Sequence, residues 1–526
     1  MRKFNTAGPV DLQKHYALSP RYRLNLEEIE ILIEDEKYFV LHAPRQTGKT
    51  SCLLSLMNHI NNGDSYRALY VNVEPAQAAR EDVEQGIRAI LGEMASQARL
   101  YLNDDFMERH WDSVLKKRGP AMALNEMLTL WSQNSRHPVI LLIDEIDSLV
   151  GDTLISVLRQ IRAGYIKRPE LFPRSIVLCG VRDIRDYRIH SSRDKQIITG
   201  GTAFNIKAES LRLGNFTRAD IETLYLMHTQ ETGQKFEKGD SCIDNDVAAG
   251  NFDNKGVVEM VWALTEGQPW LVNALGYEMC FKMKENLDRS HLITSAMVVA
   301  AKESLIMRRE THLDQLVDKL KEERVRRVIE PILSGTVLSS TFRSDDVEYV
   351  RDIGLIEQGI SGEIRLANRI YQEIIPRELA WNIQSGMTVQ RSWYIQEDGR
   401  IDCDKLLRSF QEFFREHSEH WIERFQYREA GPQLLLQAFL QRVVNGGGRV
   451  EREYGLGRMR TDLLVIWPYG AYTQIYGAPG AKVDGSGMRP ESSMSGKAGI
   501  QKSGAGIQKI VIEFSNFRLS FCIQRL

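Results

Sequence analysis

The sequence predicts an α/β protein whose largest part is a three-layer domain built on a parallel sheet. Two observations carry this expectation. Short apolar runs alternate with segments of helical spacing from Lys37 to about Cys179, the rhythm of strands that are joined by crossover helices and buried on both faces. In addition, "APRQTGKT", Ala43 to Thr50, stands between the apolar run "KYFVLH" and the helical run "TSCLLSLMNHINNG", so a polar turn with glycine joins a strand to a helix.

Taken in order, "KYFVLH" is the first strand and Thr50 to Asn62 the helix after it. "YRALYVNV", "HPVILLIDEID" and "RSIVLCG" are further strands, separated by helices through "REDVEQGIRAILGEMASQA" and "TLISVLRQIRAG". After "AESLRLGNFT" the strand runs stop, and from Thr217 to about Arg309 apolar residues recur at helical spacing. Thr217 with Asp220 reads as a helix N-cap with an acidic first turn. From about Leu313 to Leu379, helices through "RVRRVIEPIL" and "SDDVEYVRDIG" precede a turn "EQGISGE" and "IRLANRIYQEIIPREL", the order of a winged helix. The last part carries helices through "CDKLLRSFQEFFREHSEHWIERF" and "GPQLLLQAFLQRVVNGG", then strands "GRVEREYG", "RTDLLVIWP" and "KIVIEF". Gly, Ser, Ala and Lys dominate residues 469–508, where "AGIQK" occurs twice; such a stretch buries too little apolar surface to offset its chain entropy, and a flexible insertion is expected. The expected divisions are 1–210, 211–310, 311–385 and 386–526.

A chain of 526 residues exceeds one hydrophobic core, and several domains are expected. Its 68 basic and 70 acidic side chains give a net charge of -2, so no chain-wide field draws it to nucleic acid or to anionic lipid. The six cysteines show no C-x-x-C pair, which fits neither a disulfide framework nor a zinc site and suggests a reducing cytoplasm. The basic N-terminus has no apolar core after it, and no uncharged run is long enough to span a bilayer.

"APRQTGKT" is a Walker A pattern with alanine in place of its first glycine. A strand-turn-helix of this kind aims backbone N–H groups and the positive helix end at phosphate, and Lys49 adds its charge to the β/γ-phosphates. The candidate nucleotide-binding residues are therefore Ala43, Pro44, Arg45, Gln46, Thr47, Gly48, Lys49, Thr50 and Ser51, with ATP as ligand and Mg²⁺ taken by the Thr50 hydroxyl. The independent partner is "VILLIDEID", where a buried strand ends in two carboxylates about 95 residues after Lys49 (144 minus 49). Asp144 is placed to hold the Mg²⁺ shell through water, and Glu145 to orient and polarise an attacking water.

The segment from Tyr38 to Asn273 resembles AAA-type ATPases of the branch that includes STAND and archaeal-type ATPases, a resemblance carried by "YFVLHAPRQTGKT". It implies that residues 1–210 are the ATPase core and 211–310 a helical lid. Its Gly-x-Pro motif matches Gly267, Gln268 and Pro269 in "TEGQPWLVNAL", with Pro269 near the adenine. Such families carry a polar sensor after the fourth core strand, where this chain has Cys179 and then "GVRDIRDYR"; Arg182 is a candidate to meet the γ-phosphate, the alternative being a basic solvated turn. In the winged-helix segment the candidate recognition helix opens with two aspartates, a charge that repels DNA, so contact with a protein partner or a second copy is favoured.

The C-terminal part resembles PD-(D/E)XK nucleases through Glu429 on a helix, Asp462 on one strand and Glu513 on another, carboxylates that would converge on Mg²⁺. Ser515 stands where that pattern has its lysine, and little chain follows, so a degenerate or incomplete domain is expected. The function expected overall is a Mg²⁺-dependent ATP hydrolase acting as a nucleotide-driven switch. The alternatives are an ATP-held scaffold and an ATP-gated nuclease that takes DNA as its partner.

Overall fold

Four apolar runs, buried on both faces, form a parallel sheet that a fifth, polar and largely exposed strand completes at one edge. The five are β3 (Tyr38–His42), β4 (Arg67–Asn72), β5 (Val139–Asp144), β6 (Ser175–Gly180) and β9 (Lys207–Arg212), ordered β4-β5-β6-β3-β9, while β7 (Arg188–His190) and β8 (Ile197–Thr199) pair antiparallel apart from that sheet. The structure, a computed structural model, describes residues 1–183, 188–190, 197–199, 204–239, 256–308, 311–333, 344–359 and 363–379, and beyond residue 395 four strands with a few single positions. Two compact units are present: Met1–Ser241 with Asn254–Leu316 and Phe342–Arg369, and Cys242–Asp253 with Val317–Thr341 and Ile370–Leu526.

Alternation along each strand divides the core of the first unit in two. Tyr38, Val40, Leu69, Val71, Leu141, Ile143, Ile176 and Leu178 face the layer of α3 (Val83–Leu102), α4 (Phe106–Arg118), α5 (Ala123–Asn134) and α6 (Gly151–Gly164). Their neighbours Phe39, Leu41, Ala68, Tyr70, Ile140, Leu142, Val177 and Cys179 face α1 (Leu26–Glu34) and α2 (Lys49–Asn61). The expected three layers, helix, sheet and helix, are present. Strand β6 lies between β3 and β5, so the loop after β3 and the carboxylates after β5 sit one strand apart at the same sheet end.

The helical part that follows begins where its cap predicts. Helix α7 (Arg218–Thr232) carries a complete capping box, Thr217 accepting from the Asp220 backbone and Asp220 from that of Thr217. It packs on α8 (Val257–Thr265), which packs in turn on α9 (Pro269–Tyr277) and α10 (Ser295–Arg308). Two short N-terminal strands, β1 (Lys3–Phe4) and β2 (His15–Tyr16), pair in parallel and join this bundle rather than the sheet. Phe4 meets Tyr225 edge-on at 5.2 Å, and the Tyr16 hydroxyl lies 3.2 Å from His228 Nδ1. Gly267 turns the chain into α9 at φ 73°, and a Cβ there would stand 1.9 Å from the Phe216 carbonyl oxygen.

In the stretch expected to be a winged helix, the first unit holds α13 (Ser344–Asp352) and the antiparallel hairpin β10 (Ile356–Gln358) with β11 (Ile364–Leu366). Residues of α12 (Glu323–Leu333) and of α14 (Arg369–Leu379) from Ile370 onward belong to the second unit. The second unit also holds an antiparallel meander, β12 (Arg449–Tyr454), β13 (Thr461–Tyr469), β14 (Gly506–Ser515) and β15 (Arg518–Gln524). Strand β15 is an addition to the sequence reading, which ended the strands at "KIVIEF"; the alternation of Leu519, Phe521 and Ile523 is its signature. Most of the two expected C-terminal helices and residues 470–505 of the expected insertion lie outside the described residues.

Leu142, fully buried in the central strand, sets the scale for core changes. Leu142→Ala is expected to lower the unfolding free energy of the first unit by about 2–5 kcal/mol, read as a shift of the urea midpoint. Gly267→Ala is expected to cost more than about 1 kcal/mol, because it adds both a left-handed φ and a clash with backbone; proteolysis of the lid should speed up in parallel.

Candidate functional site

The phosphate loop follows from what its neighbours leave unsatisfied. Strand β3 ends in the sheet, Ala43 N donating to Gly180 O at 3.2 Å, and α2 opens with Gly48 in the left-handed region at φ 90°. The first helical bond at this end runs from Cys52 N to Gly48 O, so the amides of Lys49, Thr50 and Ser51 have no intrahelical acceptor and point out of the helix start. Thr47 closes the turn through its hydroxyl on Pro44 O at 2.7 Å. Lys49, 5% exposed, donates from Nζ to Ala43 O at 3.0 Å and Pro44 O at 3.1 Å. An ammonium has three donors, so one is left over.

Asp144 is fully buried at the tip of β5 and compensated by three donors. The Thr50 hydroxyl reaches its Oδ2 at 2.7 Å, the Tyr70 hydroxyl the same oxygen at 3.0 Å, and the Glu145 amide its Oδ1 at 3.0 Å. Burial, with Asp144 alongside, pushes the Cys179 thiol well above its ordinary range, so that side chain is a neutral thiol hydrogen-bonded to the carboxylate in addition to the three N–H and O–H donors. Glu145 takes φ 56° and starts the turn Ile146–Ser148. Burial raises its carboxyl above an ordinary glutamate, with Asp147 and Asp144 adding to the rise while Lys49 and Arg45 oppose it.

Lys49, Thr50, Ser51 and Glu145 border a cavity of about 480 Å³, with Asp144 behind its wall, within the usual range for small-molecule sites. One end is polar, with Arg45 to Ser51, Asn72, Glu74 and Glu145; the other is largely apolar, with Tyr16, Leu18, Phe216, Leu224, Pro269 and Trp270, and with Asn273. The sequence-chosen residues Arg45, Gln46, Thr47, Gly48, Lys49, Thr50, Ser51, Glu145 and Pro269 line it, whereas Ala43 and Pro44 support it from behind through Lys49. Arg182 is not in the lining. Its Nε pairs with Asp352 Oδ2 at 3.2 Å and its guanidinium lies 5.0 Å from the Tyr349 ring centre.

Several cavity residues escaped the sequence reading. Asn5 to Val10 form a strap over the cavity, tied by Val10 N to Ser51 Oγ at 2.9 Å and by Trp270 Nε1 to Thr6 O at 2.9 Å. Arg23 donates to Thr47 O in the phosphate loop and to Gly214 O before the lid, and stands 5.1 Å from the Phe216 ring centre. Neither carries a motif, and an arginine in the short turn before α1 gives no local signal. Asn273 was within reach, as the first polar residue after "GQPWLV".

In the C-terminal sheet Asp462 pairs in register with Glu453, and Glu513 with Ser520; Leu463 pairs with Ile512, so Asp462 and Glu513 occupy adjacent strands. Ser515 pairs with Arg518. Glu429 lies outside the described residues. Among the described residues no three His, Cys, Asp or Glu side chains gather to hold a metal, and no helix is long and apolar enough to cross a membrane.

Residues 33–187 match the family described as AAA domain, a span that takes in the phosphate loop and the Asp144–Glu145 strand end. No curated protein matches the chain. Among solved structures it is similar to a Walker-type ATPase of Pyrococcus abyssi, at 12% identity and TM-score 0.43 over 71% of this chain and 99% of that one. It is similar to Cdc6p from Pyrobaculum aerophilum, at 16% identity and TM-score 0.33 over 69% and 95%. It is also similar to the RuvB Holliday junction branch migration motor of Thermotoga maritima, at 14% identity and TM-score 0.33 over 66% and 93%.

Proposed function

We propose that the chain binds ATP with Mg²⁺ and hydrolyses it, using nucleotide state to move the lid. The observation that carries this reading is the bond from Thr50 to Asp144, which brings two motifs far apart in sequence to one end of a cavity that also holds Lys49 and Glu145. The match of residues 33–187 to the AAA domain family supports it.

The residues fit a magnesium nucleotide. Mg²⁺ is held through one or two protein groups plus phosphate and water rather than by an all-protein cage, and a hydroxyl next to a single buried carboxylate is such a donor set. When bound, the ion would neutralise charge on the β/γ oxygens, with Thr50 and Asp144 as its protein partners. The amides of Lys49, Thr50 and Ser51 and the α2 dipole bind the phosphate chain. Lys49 offers its remaining donor to the β/γ oxygens. Glu145 accepts the proton of a water that attacks the γ-phosphorus, and the leaving oxygen departs with ADP. Arg23, bonded to both the phosphate loop and the start of the lid, transmits a change in the loop to Phe216.

Phosphate release from Mg-ATP tests the reading. Lys49→Ala is expected to weaken ATP binding at least about tenfold, the cost of about 1.4 kcal/mol, with the unfolding midpoint measured beside it because Ala43 O and Pro44 O lose their donor. Glu145→Gln is expected to keep ATP binding and to slow turnover by roughly 10²- to 10⁴-fold; unchanged turnover would remove Glu145 from the mechanism.

The pH dependence carries a sign. Glu145 works ionised and its carboxyl titrates above the ordinary glutamate value, so turnover should fall on acidification at a pH higher than an exposed glutamate would give. That limb should vanish from the residual turnover of Glu145→Gln.

A further inference from the structure

The loop between β1 and β2 is fixed to the lid at both of its ends. Phe4 and Tyr16 are buried in the aromatic cluster with Tyr225 and His228, and Trp270 Nε1 donates to Thr6 O at 2.9 Å. Among the described residues its far side reaches the core through one hydrogen bond, from Val10 N to Ser51 Oγ at 2.9 Å. Between these ties the bonds are local: Ala7 N donates to Asn5 Oδ1 at 3.1 Å and Asn5 Nδ2 to Gly8 O at 3.0 Å, in a turn where Gly8 takes φ 71°. Ala7, Gly8 and Pro9 line the cavity and are also exposed to solvent, so a single thickness of chain divides the cavity from water there.

We infer that this loop is a door for the nucleotide, with the bond from Val10 to Ser51 as its catch. The inference rests on the nucleotide reading above and adds how the ligand enters and leaves. A lone neutral hydrogen bond is a weak tie in water, and a solvent-exposed segment held at one point belongs to the low end of a protein's local stabilities. Ser51 makes the catch responsive to ligand. A hydroxyl can accept through its oxygen while it donates its own proton; here the oxygen takes the Val10 N–H, and the proton goes to no protein acceptor among the described residues. Ser51 stands in the first turn of α2 and lines the polar end of the cavity, where a phosphate oxygen would take that proton. A hydroxyl that donates becomes a stronger acceptor, so bound phosphate tightens the catch and shuts the door behind the ligand.

Stopped-flow mixing of the full chain with Mg²⁺ and a ribose-labelled fluorescent ADP tests this, beside hydrogen exchange of the peptide covering residues 5–14. Val10→Pro, which removes the N–H, is expected to raise the association and dissociation rates together, each roughly three- to tenfold, as the loss of one hydrogen bond predicts. Val10→Ala, which keeps the N–H, is expected to raise association less. In the unsubstituted chain Mg-ADP is expected to slow exchange in that peptide. Faster dissociation from Val10→Pro with unchanged association would make the loop a binding contact and overturn the door. Equal effects of the two substitutions, unchanged rates, or exchange in the parent chain that does not respond to Mg-ADP would overturn it as well. In each of these cases binding by the parent chain that is lost in Lys49→Ala keeps the nucleotide site, whereas no binding by the parent would overturn both. The exchange measurement needs no substitution, so a folding defect in Val10→Pro leaves the test intact.

Discussion

The hydrogen bond from Thr50 to Asp144 is the constraint on which the site depends. A fully buried carboxylate is costly unless donors replace its water, and Asp144 has three, from Thr50, Tyr70 and the Glu145 amide. Each comes from a different element: α2, β4 and the chain just past β5. The bond therefore requires the strand order found, with β6 between the strand that feeds the loop and the strand that ends in acid. Removal of one donor leaves the charge in place and under-compensated, which costs more than the bond itself is worth. The polar end of the cavity and the stability of the sheet end thus rest on the same set of contacts.

The other end of the cavity is built by the lid and closed by the N-terminus. Strands β1 and β2 contribute two residues each and gain their stability from the aromatic cluster of Phe4, Tyr16, Tyr225 and His228 on the lid. Between them the strap runs from a bond on α9 to a bond on α2. A lid that moves must carry the strap with it or break one of those two bonds. Arg23 adds a second link across the same gap, with its guanidinium shared between Thr47 O and Gly214 O.

Local features were legible in the sequence and long-range pairings were not. The apolar runs of β3, β4, β5 and β6, the glycine and lysine of the loop, the carboxylate pair and the cap at Thr217 each express a rule that operates within a few residues. The strap has no such rule: two-residue strands show no periodicity, and nothing within "NTAGPV", Asn5 to Val10, decides whether it packs over the cavity. Asn273 sits in an otherwise apolar helix, where one amide is indistinguishable by pattern from a satisfied core residue. Arg182 shows the opposite limit. Its position after the fourth core strand suggested phosphate, but its observed partners, Asp352 and Tyr349, lie about 170 residues downstream, beyond any local signal.

That pairing bears on how the lid and the core communicate. Helix α13 and its hairpin touch the core through Arg182 on Asp352, through Arg212 on Arg351 O, and through Gly354, where an added Cβ would lie 2.7 Å from Pro44. The same hairpin touches the lid base, with Arg365 forked onto both oxygens of Glu266 at 2.9 and 3.3 Å, next to Gly267. The two ends differ in exposure. Arg182 and Asp352 are 13% and 9% exposed, whereas Arg365 and Glu266 are 42% and 25% exposed. A pair of the second kind is worth under about 1 kcal/mol in water, while a desolvated pair is expensive to break once formed. Were the helical part to turn about Gly267, the more exposed Arg365 contact would be the cheaper of the two to break. Among the described residues, α13 and its hairpin are thus held to the core by a desolvated pair and to the base of α9 by an exposed one.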